Sequence, residues 1–115
     1  MLVGVPKEIK VRESRVGLVP NSVAELVGRG HRVMVETGAG AGIGADDAAY
    51  KAAGAEIASS AAEVFAAAEM IVKVKEPQPN EWVQLSADQI LFTYLHLAAD
   101  MAQTHGLMES GCTAI

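Results

Sequence analysis

Residues 56–75 read EIASSAAEVFAAAEMIVKVK, in which a short apolar run precedes an alanine-rich segment and then a longer apolar run. Ser60 and Glu63 have the spacing of a capping box, in which two side chains satisfy backbone amides in the first turn of a helix. Strand-length apolar runs that alternate with segments of helical period are typical of a parallel sheet with crossover helices. This stretch therefore predicts one strand–helix–strand unit of an α/β fold.

The same alternation extends from this stretch toward both ends of the chain. Capping-box pairs predict two more helix starts, at Ser22 with Glu25 and at Asp100 with Gln103. Strands are predicted at residues 2–5, 32–36, 56–58, 70–75 and 90–94, with a further strand starting at 113. We predict an α/β fold with a doubly wound, mainly parallel sheet and helices on both faces. The pattern leaves the strand order open.

Composition and charge exclude several classes of protein. A chain of 115 residues with 50% hydrophobic and 20% charged residues has the length and composition of one globular domain. The net charge is −5 and the basic residues are scattered, which argues against binding to nucleic-acid phosphates. The single Cys112 cannot form an internal disulfide, and no Cys/His cluster offers metal ligands. No apolar run approaches the roughly 20 residues that span a bilayer, so we expect a cytoplasmic chain without membrane, nucleic-acid or metal partners.

A glycine-rich run at residues 38–45 follows a predicted strand and contains G-x-G-x-x-A from Gly40 to Ala45. Such a run can hold a pyrophosphate at a helix N-terminus. Asp46 and Asp47 stand where that pyrophosphate would lie, and their carboxylates would repel it while capping the helix themselves. We therefore favour a tight turn between strand and helix over a nucleotide site.

Polar side chains follow three of the predicted strands. Arg15 lies in a charged loop after the first strand, Lys75 stands at the carboxyl end of the fourth, and His96 follows the fifth. Because ligands of doubly wound sheets bind outside the carboxyl ends of strands, these groups could converge on one rim. Arginine matches a carboxylate, lysine polarises a carbonyl oxygen, and histidine titrates near neutrality. The trio suits a small carboxylate that bears a reactive carbonyl or amine.

Each of the three residues also has a purely structural interpretation. Arg15 could be solvated or ion-paired, as isolated arginines in charged loops commonly are. Lys75 could be a strand end whose amine reaches water. Lys73 carries the same amine and could equally be the lysine that polarises the carbonyl. His96 is flanked by leucines and could be a hydrogen-bonded histidine at the edge of the core.

Six blocks of sequence that span nearly the whole chain carry a family resemblance: Gly4–Lys10, Glu13–Val16, Gly30–His31, Val35–Gly40, Val72–Pro77 and Leu91–Asp100. Together they resemble the N-terminal region of bacterial alanine dehydrogenases. The similar family of nicotinamide nucleotide transhydrogenases matches the first half of the chain but lacks the sequence Tyr94–Asp100 around His96. The chain departs from the common alanine dehydrogenase pattern at Gly17, where alanine is usual.

The resemblance implies NAD-dependent, reversible oxidative deamination of L-alanine to pyruvate and ammonia by a homohexamer. It implies that residues 1–115 are a truncated N-terminal substrate domain, and that the Rossmann domain which binds NAD is absent. In this family Arg15 matches the arginine that binds the substrate carboxylate, Lys75 the lysine at the carbonyl, and His96 the acid/base histidine. The chain alone is then expected to be inactive. The alternatives are a non-catalytic substrate-binding or oligomerisation module, and a transhydrogenase-like redox component.

Overall fold

A computed structural model describes residues 1–115 as six strands and five helices, with two short 3-10 turns at Ala41–Ile43 and Leu97–Ala99. No helix has the length and apolar character needed to cross a membrane. The strands are β1 (Leu2–Val5), β2 (Arg32–Glu36), β3 (Glu56–Ala58), β4 (Met70–Val72), β5 (Ile90–Phe92) and β6 (Thr113–Ala114). The helices are α1 (Pro20–Gly28), α2 (Asp47–Ala52), α3 (Ala61–Ala67), α4 (Pro79–Trp82) and α5 (Met101–Ser110).

All six strands run parallel in one sheet of order β3-β2-β1-β4-β5-β6. The chain builds the sheet outward from β1 to β3, returns to place β4 on the other side of β1, and then builds outward to β6. The direction of building therefore reverses between β1 and β4. In doubly wound sheets a crevice opens at this point, outside the carboxyl ends of the strands.

Alternating side chains along the strands pack into two cores, one on each face of the sheet. Val33 and Val35 of β2 pack with Tyr50 of α2 in the first core. The intervening Met34 packs on the other face, in the core that contains Phe65 of α3. Helices thus cover both faces, as predicted, and the doubly wound α/β class is confirmed. Burying each large apolar side chain in these cores, instead of leaving it exposed to water, favours folding by roughly 1.5–3 kcal/mol.

Two of the three predicted helix starts are confirmed. The Ser60 hydroxyl accepts a hydrogen bond from the Glu63 amide at 3.3 Å, and the Asp100 carboxylate accepts one from the Gln103 amide at 3.0 Å. The start at Ser22 is wrong, because α1 begins at Pro20. Proline fits the first helical position since its fixed φ is already helical and its missing N–H would have no partner there.

Strands β4 and β5 are shorter than the predicted spans of residues 70–75 and 90–94. The carboxylate of Glu8 explains the end of β4, because it accepts the amide hydrogens of Val74 and Lys75 at 3.1 and 3.0 Å. These amides are therefore not available to a neighbouring strand. A side chain from the loop after β1 thus terminates the next strand of the sheet and joins the two segments.

Candidate active site

The three candidate residues follow three neighbouring strands. Arg15 lies in the loop after β1, Lys75 follows β4 and His96 follows β5. Because β1, β4 and β5 are adjacent and parallel, their carboxyl ends lie along one edge of the sheet. Two of the residues, Arg15 and Lys75, follow the strands on either side of the reversal in strand order.

The guanidinium of Arg15 is exposed and forms a two-point ion pair with Glu13. Its Nε lies 2.9 Å from Oε2 and its Nη2 lies 2.8 Å from Oε1, while the Arg15 amide donates to Oε2 at 2.8 Å. These hydrogen bonds lower the pKa of Glu13 to about 2, and the charge of Lys75 acts in the same direction. A guanidinium has five N–H donors. The terminal edge of Arg15, which carries Nη1, therefore stays free for a second carboxylate.

The backbone around Lys75 is held on both sides while its amine has no ion-pair partner. Its amide donates to Glu8, and its carbonyl accepts from the Thr93 hydroxyl at 2.9 Å. The residue is partly buried. A lysine with a fixed backbone and an unpaired ammonium can donate hydrogen bonds to an oxygen on which negative charge develops.

Lys73, which the sequence left open as an alternative to Lys75, is bound in the interior. Its side chain is 1% exposed, and its Nζ lies 3.2 Å from Glu8 and 3.1 Å from Glu81. Burial raises the pKa of Glu81, whereas the charge of Lys73 opposes that shift. A charge at this depth needs such partners, since an unpaired buried ion is strongly unfavourable. The Lys73 ammonium is therefore occupied by protein carboxylates.

The imidazole of His96 is about half exposed, and its Nδ1 lies 3.3 Å from Oε2 of Glu76. The backbone of His96 has a φ of +52°, a left-handed conformation that costs a non-glycine residue roughly 1–2 kcal/mol. The preceding carbonyl, of Leu95, accepts a hydrogen bond from the buried Gln103 side chain at 2.7 Å. Strained backbone of this kind clusters at functional sites.

Comparison with known proteins identifies the family. The family model described as "Alanine dehydrogenase/PNT, N-terminal domain" matches residues 4–115. The chain belongs to this family. It is 54% identical over all 115 residues to an alanine dehydrogenase of Halomonas elongata and 52% identical to one of Bacillus subtilis, covering 31% and 30% of their lengths. It thus spans about a third of these relatives.

Solved structures agree with this assignment to the alanine dehydrogenase/PNT family. A structure described as L-alanine dehydrogenase matches the whole chain with a TM-score of 0.97 and 54% identity, and the match covers 32% of that chain. A transhydrogenase from Sinorhizobium meliloti matches 99% of the chain with a TM-score of 0.91 and 28% identity, covering 34% of that structure. The L-alanine dehydrogenase and the transhydrogenase therefore share this fold.

In this alanine dehydrogenase/PNT domain the glycine run is a packing element. Asp46 caps α2 by accepting the Ala49 amide at 2.9 Å, and Asp47 accepts the Gly38 amide at 2.9 Å. A side chain on Gly42 would overlap the carbonyl of Ser14, which immediately precedes Arg15. The glycine run therefore supports the loop that carries Arg15, and the two aspartates that follow the run bind backbone amides.

An open cleft of about 390 Å³ lies beside Arg15, and most of its lining is apolar. Gly17 is one of the lining residues, and a Cβ at this position would come within 2.5 Å of the Val72 carbonyl oxygen. Glycine at this position thus allows a close approach between the Arg15 loop and β4. The lining includes Val16, Ile43, Val74, Phe92 and Tyr94.

Sequence reasoning missed the glutamates that surround the candidate residues. Glu13 pairs with Arg15, Glu76 contacts His96, and Glu8 binds the backbone of Lys75. One signal could have found Glu8: a lysine at position 73, inside an apolar strand, needs a buried carboxylate as its partner. No group of three or more His, Cys, Asp or Glu side chains is arranged to hold a metal ion.

Proposed function

We propose that the chain is the N-terminal substrate domain, residues 1–115, of an alanine dehydrogenase that interconverts L-alanine with pyruvate and ammonia in an NAD-dependent reaction. One observation carries the proposal. Residues after the adjacent strands β1, β4 and β5 supply a guanidinium with a free edge, an unpaired ammonium and an imidazole. The names of relatives at 50–54% identity support the same activity.

The proposed roles follow from the chemistry of each group. The free edge of Arg15 binds the substrate carboxylate through paired N–H donors. The ammonium of Lys75 donates to the carbonyl or carbinolamine oxygen and stabilises its negative charge. The free Nε2 of His96 exchanges a proton with the substrate as water and ammonia add or leave. Fixing the carboxylate and the oxygen at two points orients the α-carbon, which supplies much of the advantage of a bound substrate.

The residues of this chain do not fit a dinucleotide. Asp47 already accepts the Gly38 amide of the glycine run, and Asp46 caps the helix that follows. We therefore assign NAD to another part of the longer polypeptide that the relatives represent. We further propose a homohexamer, which is supported by the family resemblance. We also propose a cytoplasmic location, which is supported by the free Cys112.

The test uses the full-length polypeptide, L-alanine and NAD, with NADH formation followed by absorbance. We expect turnover in the wild type and a loss of about 100-fold or more in H96A, because proton transfer by a positioned side chain contributes this much. NAD affinity should not change, which serves as the control for folding. Full turnover in H96A would remove the proposed role of His96.

A transhydrogenase-like redox component is the second candidate, because a transhydrogenase structure shares this fold with a TM-score of 0.91. Such a protein would be indifferent to alanine and pyruvate. Calorimetric titration of the full-length polypeptide with pyruvate separates the two candidates. Binding that weakens in R15A supports alanine dehydrogenase, whereas no heat of binding, with or without NADH, supports the transhydrogenase. The isolated chain should not turn over, and activity in it would contradict the proposed division of labour.

A further inference from the structure

Glu76 lies between two cationic or proton-donating groups at the candidate site. It is 7% exposed, follows β4 directly after Lys75, and presents its two carboxylate oxygens to different partners. Oε1 pairs with the ammonium of Lys10, and Oε2 lies 3.3 Å from Nδ1 of His96. Burial opposes ionisation of Glu76, but the hydrogen bonds from Lys10 and His96 outweigh it and lower the pKa to about 2. An ionised carboxylate only accepts hydrogen bonds.

The state of the imidazole follows from this contact. Because Oε2 of Glu76 can only accept, the hydrogen bond requires a proton on Nδ1 of His96. In the neutral ring Nε2 then carries the lone pair, and it has no hydrogen-bond partner in the protein. The hydrogen bond from Gln103 to the carbonyl of Leu95 fixes the backbone immediately before His96. The choice of tautomer is therefore made by Glu76.

We infer that Glu76 is a positioning residue that holds His96 in the Nδ1–H tautomer, and that Lys10 fixes the orientation of the Glu76 side chain. Nε2 is then the atom that exchanges a proton with the substrate. The inference rests on the proposed function only for the role of His96. It adds Lys10, from the loop after β1, and Glu76, from the loop after β4, to the site that contains His96. A base oriented by a third group is the general logic of catalytic triads.

The pairing with Lys10 leads to an unusual expectation for E76Q. An ammonium only donates hydrogen bonds, so the glutamine carbonyl should turn toward Lys10 and the amide NH2 toward Nδ1 of His96. An NH2 group donates to the lone pair of Nδ1, which forces the proton onto Nε2. The conservative E76Q should therefore impose the wrong tautomer, whereas E76A should leave both tautomers accessible.

The experiment measures kcat and KM for pyruvate and ammonia in the full-length enzyme. We expect E76Q to lower kcat by about 100-fold with little change in KM, because general acid–base catalysis contributes at least this factor. E76A should be less impaired than E76Q. In the double variant K10M/E76Q the glutamine amide is free to rotate by 180° and present its carbonyl oxygen to Nδ1 of His96. Part of the lost kcat should therefore return. A purely structural role predicts the opposite order, with the isosteric E76Q milder than E76A and no rescue by K10M.

H96A separates failure of this inference from failure of the proposed function. If H96A keeps full turnover, the proposed role of His96 fails. If H96A loses turnover but E76Q does not, Glu76 has no positioning role and the proposed function stands. Nitrogen NMR of the wild-type enzyme, labelled at histidine, gives an answer that does not depend on variants folding. Shifts of a protonated Nδ1 and a bare Nε2 are expected for His96 at a pH where the ring is neutral, and the reverse tautomer would overturn the inference.

Discussion

Lys73 and Lys75 are two residues apart and carry the same chemical group, yet the structure gives them opposite environments. The ammonium of Lys73 is buried between Glu8 and Glu81. Lys75 is partly buried, its ammonium has no carboxylate partner, and only its backbone is bound. Glu8 contacts both residues, through the ammonium of the first and the amide of the second.

Side-chain type alone therefore does not identify a functional lysine in this chain. The paired, buried ammonium of Lys73 neutralises Glu81 and also Glu8, which holds the end of β4 in place. Little of its charge is therefore available to a ligand. An unpaired ammonium on a fixed backbone is available. In this account Lys73 contributes to stability and Lys75 to substrate binding, and Glu8 connects the two roles.

The substitution K73M should have the largest effect on stability. Removing the ammonium leaves Glu8 and Glu81 buried without their shared partner, and breaking a buried ion pair from one side costs about 3–5 kcal/mol. Urea unfolding measures the change. The matched control is K75M, which should change the free energy of unfolding by no more than about 0.5 kcal/mol, as expected away from buried features. Equal losses in the two variants would erase the distinction.

The substitution K75M should have the largest effect on activity in the full-length polypeptide. Loss of one donor to a developing oxyanion lowers turnover by about 100- to 1000-fold. The wild type and the variant are compared by NADH formation with saturating NAD. The NAD affinity serves as the control, because no residue of this chain is assigned to the dinucleotide. Turnover close to that of the wild type would show that the unpaired ammonium is not used.

The substitution E8Q should affect both stability and activity, each less than the lysine variants do. Both oxygens of Glu8 accept hydrogen bonds, from Val74 on one side and from Lys75 and Lys73 on the other. A glutamine NH2 must face one of these donors and leave it unpaired, which costs about 1–3 kcal/mol. Because the backbone of Lys75 is then less well fixed, kcat/KM should also fall. An effect on stability alone would mean that Glu8 does not position Lys75.

Most of the fold could be predicted from the sequence because its determinants are local. Apolar runs located all six strands, and the capping residues Ser60 and Asp100 located two helices. The strand order and the end of β4 depend on contacts between distant segments. Glu8 binds amides 66 and 67 residues away, and no local pattern in the run Lys73-Val74-Lys75 announces that the ladder stops.

The candidate site shows the same division between local and distant contacts. The pairing of Arg15 with Glu13, two residues away, falls within the ion-paired alternative that the sequence left open. The contact of His96 with Glu76 spans 20 residues and that of Lys10 with Glu76 spans 66. The roles of Arg15, Lys75 and His96 in binding and proton transfer stay predictions.

Acid should produce the smallest effect on stability, and the contributions of Glu13 and Glu81 change with pH in opposite directions. The pKa of Glu13 lies at about 2 in the folded chain, below its ordinary value of 4.5, so its stabilising contribution is lost as pH falls from 4.5 to about 2. The pKa of Glu81 is raised by burial, so its contribution is present at low pH and lost as pH rises. Urea unfolding of the chain should show a weaker acid dependence in E13Q than in the wild type. An unchanged acid dependence would contradict the strong pairing of Glu13 with Arg15.

A crystal structure of the full-length polypeptide with pyruvate would show whether Arg15, Lys75 and His96 bind one substrate together. We expect the pyruvate carboxylate to lie on the free edge of Arg15 and the carbonyl oxygen to lie within hydrogen-bond distance of the Lys75 ammonium. Nε2 of His96 should face the carbonyl carbon. Pyruvate bound away from these three side chains, with the crevice between β1 and β4 empty, would contradict this expectation.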